Sequence, residues 1–239
     1  VEVAEQFACI VLLADDLIVP RDFTDDSIEM EHLQNRLIDC LCNEKGRLAW
    51  QTPDGIGVLQ PLIADGAPFS QKSAVLGAAN TLERLKQSAS ALSFHCGVSH
   101  LAVKATTLAE LYAQSLAAAR YGPTLLGRRA VYHWQDLGAY QFVVRDLHSP
   151  MSTQFVKQQL GPILSLRSTN KQSDLLRTLE EIVTHDSVEM IGKRLNIVSK
   201  TVRYRKRNLE KLLGVSLDSL ETLSSLSLAL KIRSIIGTE

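Results

Sequence analysis

The stretch that most restricts how this chain can fold is DSVEMIGKRLNIVSKTVRYRKRNLEKLLG, from Asp186 to Gly214, where two short apolar periods meet at a break of only a few residues. Val188, Ile191 and Leu195 recur at helical spacing, with Asp186 placed to cap that helix and Glu189 three residues on to complete a capping box. Gly192 would be costly in an exposed helix interior, but beside Ile191 it removes the Cβ that would hold a second helix away. Asn196 follows the last apolar position, where a left-handed residue ends many helices, and Ile197 is then expected to turn inward as the plug of the corner. Ser199 is the expected N-cap of the second helix, which runs until Gly214 stops it after Leu212 and Leu213. So short a turn between two amphipathic helices predicts a helix-turn-helix at about residues 186–214.

On a wheel of about 100° per residue, Val202, Leu209 and Leu213 share the predicted core side of the second helix. Lys200, Tyr204, Arg207 and Lys211 fall opposite, with Arg203, Thr201 and Asn208 along the borders. In a recognition helix, Lys200 and Thr201 lie where base edges are touched, and Ser199 opens the same end. Arg203, Arg207 and Lys211 suit flanking phosphates, and Tyr204 can donate to a phosphate or lie along the backbone. Arg205 and Lys206 flank the apolar stripe, so one of them is expected to lay its stem on a neighbouring helix; Arg205 is kept among the candidate DNA contacts. A basic outer face alone would need no function. The glycine, asparagine and inward isoleucine at these spacings are harder to obtain by accident.

The segment TVRYRKRNLEKLLG, with SDLLRTLEEIVTHD and LGPIL upstream, resembles the C-terminal helix-turn-helix of PucR/CdaR-type bacterial transcriptional regulators, from roughly Met151 to the C-terminus. Thr201, Arg203, Tyr204 and Arg205 fall on that family's T-x-R-Y-R pattern. Val198, Ser199 and Lys200 stand where the family usually carries His-Arg-Asn, which bears on base preference rather than fold. The resemblance implies a regulator that binds double-stranded DNA.

With 239 residues, 45% of them hydrophobic, and a formal net charge of zero, the chain has material for two ordinary cores. Neutrality overall does not oppose DNA binding, which depends on the local field. Cations are dense between Lys193 and Lys211, whereas Asp15, Asp16, Asp22, Asp25, Asp26, Glu29 and Glu31 make the N-terminal part acidic. The four cysteines do not make a secreted disulfide framework, and Cys40 with Cys42 lacks the second pair a structural zinc needs; they read as buried or free cytosolic thiols. The six histidines are scattered without a metal-binding repeat or a nucleophile to serve, so no metal, cofactor or catalytic residue is expected. No signal peptide is evident and apolar runs such as Phe7 to Ala14 are too short to span a bilayer, which predicts a cytoplasmic protein. A start at Val1 without methionine suggests a fragment whose missing segment senses a small-molecule effector.

The N-terminal half alternates its pattern. Phe7 to Ala14 suits a buried strand and Ser27 to Cys42 a helix through Ile28, Leu33, Leu37, Ile38 and Leu41. Strands over Arg47–Gln51 and Gly57–Leu62 form a hairpin turned by Pro53, Asp54 and Gly55. A helix over Ser73–Ser88, a strand over Ala91–Ser99, a helix over Leu108–Tyr121 and a strand over Val131–Trp134 follow. That order predicts an α+β, ferredoxin-like mixed sheet covered on one face by helices, followed by an all-α helix-turn-helix domain. His148, Ser149 and Pro150 mark the expected boundary, giving domains 1–148 and 149–239. Ser165 to Ser173 reads as a polar loop between helices. Leu217, Leu220, Leu223, Leu226, Leu230 and Ile235 form a leucine-rich helical tail that either packs back on the small domain or offers a dimer surface. A homodimer is expected, because one such module touches few base pairs and regulators gain affinity from two half-sites.

The same element order, with RLAWQTPDGIGVLQP and FHCGVSHLAVKATTLAELYAQSLAAARYG, resembles the degenerate GGDEF-like domain of CdaR-type regulators over roughly Val3 to Val144. Catalytic relatives of that domain make cyclic di-GMP, with a glycine pair admitting the nucleotide and carboxylates holding magnesium. Here the five signature positions are Thr52, Pro53, Asp54, Gly55 and Ile56, of which only Asp54 matches. The missing glycines and missing second acid oppose a cyclase, and Asp15 and Asp16 read better as loop acids than as metal ligands. The leading expectation is a transcriptional regulator whose GGDEF-like domain transmits a signal or dimerises. The alternative is a guanine-nucleotide-binding or cyclase-like signalling protein with a structural helical tail.

Overall fold

The computed structural model describes residues 7–14, 35, 37–42, 47–53, 55–61, 70–88, 94–101 and 107–237. The chain divides into two compact units, Val1–Val144 and Arg145–Glu239. Its class is α+β: a mixed five-stranded sheet with helices in the first unit, and helices in the second.

The strands are β1 (Phe7–Ala14), β2 (Leu48–Thr52), β3 (Gly55–Pro61), β4 (Phe94–Val98) and β5 (Val131–His133), in the spatial order β2-β3-β1-β4-β5. β1 is central and antiparallel to both β3 and β4, and β5 joins β4 in parallel. β1 spans the expected residues because FACIVLLA is apolar throughout. The same fact overturns the expectation of a sheet covered on one face. Ala8, Ile10 and Leu12 are buried with Leu37 and Leu41 of α1 (residues 37–42) and with Ala78, Leu82 and Leu85 of α2 (Gln71–Ser88). On the opposite face Cys9 packs with Leu111 and Tyr112 of α3 (Leu108–Leu126). A strand buried on both sides carries no polar alternation, whereas a sheet with one wet face would show it.

The hairpin closes nearer its turn than expected. Thr52 pairs with Gly55, and the Thr52 hydroxyl accepts the Gly55 N–H at 2.9 Å, so Gly55 is a strand residue. α3 continues past Tyr121 to Leu126 although Pro123 lies inside it. Proline removes the donor that the Ala119 carbonyl would have received; His95 Nε2 donates to that carbonyl instead, at 3.1 Å. Gly97 of β4 lets α3 lie close, since a Cβ there would stand 1.9 Å from the Ser115 carbonyl oxygen. β5 ends at His133, and Trp134 opens a 3-10 turn to Leu137 ahead of α4 (Tyr140–Val144). Of the helix expected over Ser27–Cys42, residues 27–34 and 36 lie outside the described residues, as do Asp15, Asp16, Asp22, Asp25, Asp26, Glu29, Glu31 and Asp54.

None of the four cysteines forms a disulfide: Cys9 and Cys96 are buried, Cys40 half-buried and Cys42 exposed. Burial pushes the Cys9 thiol up to about 11 against a hydrogen bond from Ser115, and burial raises Cys96 as well. Among the described residues no group of three or more His, Cys, Asp or Glu is placed to hold a metal, and no helix is long and apolar enough to cross a membrane.

The second unit holds α5 (Pro150–Leu164), α6 (Thr169–Thr184), α7 (Val188–Leu195), α8 (Ser199–Leu213) and α9 (Leu220–Ile236). Ser149, Ser168, Ser187 and Ser219 cap α5, α6, α7 and α9, each hydroxyl accepting a backbone N–H three residues on. The cap at Ser168 starts α6 inside the expected loop of Ser165–Ser173 and shortens it. The leucine tail packs back on its own unit: Leu217, Leu226, Leu230 and Ile235 are buried, α9 lies against α5 and α6, and Leu220 stays exposed.

Candidate nucleic-acid interface

The corner between α7 and α8 is built largely from backbone requirements. α7 is capped by Ser187, not by Asp186 as expected, so the capping box does not form. Serine wins because its hydroxyl does two jobs at once. It accepts the Met190 N–H at 3.3 Å and donates to Glu189 Oε2 at 3.0 Å. The Glu189 carboxyl is held below the ordinary carboxylate range by its own backbone N–H, then by Ser187, and more weakly by Arg203.

α7 ends at Asn196, whose φ of 55° and ψ of 45° make it the one non-glycine with positive φ among the described residues. The following N–H, of Ile197, returns to the Gly192 carbonyl at 2.9 Å and satisfies an orphan of the helix end. Gly192 is buried, and a Cβ on it would lie 2.7 Å from the Ile197 carbonyl oxygen but 3.7 Å from Val202 Cγ2. The glycine is therefore required mainly by the turn itself, and only secondarily by the approach of the second helix. Ile197 is half-buried, a partial plug.

α8 begins at Ser199 with Val198 as its N-cap, so the expected cap at Ser199 falls one residue late. Valine offers no acceptor, Val198 makes no side-chain cap bond, and 68% of it is exposed. The helix stops at Gly214 as expected, in the left-handed region.

The wheel holds for most of α8. Val202 and Leu209 are buried, Leu213 only half so. Lys200, Arg203, Tyr204, Arg207 and Lys211 are exposed, with Ser199 and Thr201 half-buried at the border. Among the described residues no ion pair engages Lys200, Arg207 or Lys211. Arg203 Nη2 stands 3.7 Å from Glu189 Oε1 on α7.

Arg205 departs from the expected DNA-facing set. Its guanidinium turns onto α6, donating to Asp174 Oδ2 at 2.6 Å and to Thr178 Oγ1 at 3.2 Å. Lys206 is paired with Asp218, an exposed acid in the segment between α8 and α9, so both flanking cations are held by acids of their own unit. A third tie joins α7 to α6, with Arg194 Nε on Glu181 Oε2 at 2.6 Å. Sequence reasoning missed these acids because Asp174 lies 31 residues before Arg205. The available signal was the spacing of Asp174, Thr178 and Glu181 along one flank of a strongly amphipathic α6.

Residues 175–232 match the family model of the PucR C-terminal helix-turn-helix domain. The chain therefore carries a PucR-type C-terminal helix-turn-helix domain. The match takes in most of α6, all of α7 and α8, and most of α9, so the corner and the ties Arg194–Glu181 and Lys206–Asp218 lie within it, while Asp174 stands one residue before its start. A solved structure, the regulator of polyketide synthase expression from Bifidobacterium adolescentis, is similar over 97% of this chain and 82% of that one, at 13% sequence identity and a TM-score of 0.32. The comparison with curated proteins finds no match. Within the T-x-R-Y-R pattern of this PucR-type helix, Arg203 and Tyr204 are exposed while Arg205 is bound to α6.

Proposed function

We propose that this chain is a PucR-type regulator that controls transcription by binding double-stranded DNA, with α8 entering the major groove. The observation that carries the reading is the exposed row Lys200, Arg207 and Lys211, which no carboxylate neutralises among the described residues, on the second helix of a helix-turn-helix. Such a row is suited to a polyanion. Ser199, Lys200 and Thr201, at the leading end, would meet base edges, while Arg207 and Lys211, about two and three turns further on, suit phosphates, with Tyr204 between them. One module of this size reads few base pairs, so the working form is a homodimer on two half-sites. Its place is then the cytoplasm, with the chromosome.

The sheet domain serves, in this reading, as a degenerate GGDEF-like unit that transmits a signal or dimerises, without catalysis. Supporting it, Ile56 is buried in the core and Thr52 is spent on the hairpin turn, leaving neither signature position for a nucleotide or metal. The test is selection of bound duplexes from a random pool with the full chain. Enrichment of a paired motif, with affinity falling steeply as salt rises, is the expected result; no retention of any duplex at low salt would overturn the proposal.

A further inference from the structure

Glu189 is an acid on a surface whose proposed role calls for cations. Its carboxylate is fixed at the start of α7: Oε2 takes the Ser187 hydroxyl at 3.0 Å, which leaves Oε1 facing Arg203 Nη2 at 3.7 Å. Both side chains are more than half exposed. The other two arginine pairs of this module, Arg194–Glu181 and Arg205–Asp174, are tighter, at 2.6 Å, and each has a partner side chain that is largely covered. The Glu189–Arg203 pair is thus the loose one, and it sits on the outward side of the corner.

A guanidinium has five N–H donors in a plane, so a carboxylate at Nη2 leaves most of them open. What can approach them is then restricted by charge. A phosphate drawn to Arg203 must come close to the Glu189 carboxylate and be repelled by it. A guanine edge, whose acceptors O6 and N7 carry only partial negative charge, meets a much smaller penalty. Building on the DNA-binding reading, we propose that Glu189 is a positioning residue that keeps Arg203 off the phosphates and aims it at a base edge, most naturally guanine. Arg203 then differs from Arg207 and Lys211: it serves sequence discrimination and adds little to general affinity.

The experiment uses the full chain and its Glu189→Gln, Arg203→Ala and double variants, measured on the selected duplex and on random-sequence duplex across a salt series. Wild-type protein establishes the specificity ratio. In E189Q, Arg203 is freed to take a phosphate, so affinity for random DNA is expected to rise about three- to tenfold. The slope of log K against log salt on random DNA should steepen by about 0.9, the value for one added phosphate contact. Affinity for the selected site should change less than about twofold, so the ratio falls. In the R203A background, E189Q should no longer lower the ratio. Equal tightening on both duplexes, or the same effect of E189Q with and without Arg203, would reduce Glu189 to a background charge and overturn the assignment. A wild-type chain that binds no duplex would instead overturn the DNA-binding reading beneath it.

Discussion

Replacing Arg205 by alanine should loosen the C-terminal unit while sparing its contacts with DNA. The side chain is 20% exposed and makes two hydrogen bonds to α6, at 2.6 Å to Asp174 and 3.2 Å to Thr178. Charge-assisted bonds of this kind contribute about 1.5–3 kcal/mol when shielded. Asp174 is 55% exposed, so water and salt screen much of the attraction, and about 1–2 kcal/mol remains once lost packing of the arginine stem is included. In a domain of this size each kcal/mol moves the melting temperature by about 4–8 °C, so R205A should melt roughly 5–12 °C lower. Thermal unfolding of the full chain followed by far-ultraviolet circular dichroism measures this directly. Fluorescence anisotropy on labelled duplex, below the transition, should give an unchanged salt slope. An unaltered melting temperature together with a slope shallower by about one unit would place Arg205 on a phosphate and refute the assignment.

Gly192→Ala should also destabilise, by about 1–3 kcal/mol, because the new Cβ meets a backbone oxygen, that of Ile197, at 2.7 Å. An ordinary helical glycine changed to alanine gains stability instead, so the sign of the shift in a urea midpoint decides whether the turn is as tight as described. At pH 8 the Cys9 thiol, raised to about 11 by burial, stays protonated and unreactive. A maleimide should therefore modify the exposed Cys42 first and reach Cys9 and Cys96 only on unfolding, and labelling of Cys9 as fast as Cys42 in the native chain would contradict the packing of the sheet.

How far the fold could be read from the sequence depended on whether the deciding interaction was local. β1 was legible to the residue because eight consecutive apolar side chains admit few alternatives. The same run also announced burial on both faces, which the overall element order obscured. Asn196 and Gly214 were legible because a left-handed position narrows the choice of residue. Caps were misplaced by one residue at both Asp186 and Ser199. At the first, two adjacent acceptors competed and Ser187 took the cap; at the second, Val198 took it without a side-chain bond, against propensity. α3 ran past Pro123 because His95, 24 residues away, supplies the donor that its carbonyl lacked. The fate of Arg205 was likewise non-local, since a helical wheel separates core from surface but does not show which neighbour's acid waits at the border.

Whether α8 meets DNA through its outward cations is tested most directly by a triple variant, Lys200→Ala, Arg203→Ala and Arg207→Ala. These side chains are exposed and lie away from Val202 and Leu209, so helicity and melting temperature should be preserved. Binding of the selected duplex should be lost at moderate salt, and any residual binding at low salt should show a distinctly shallower salt dependence than wild type. A folded triple variant that holds the duplex with wild-type affinity and slope would contradict the assignment of α8 as the DNA-reading helix.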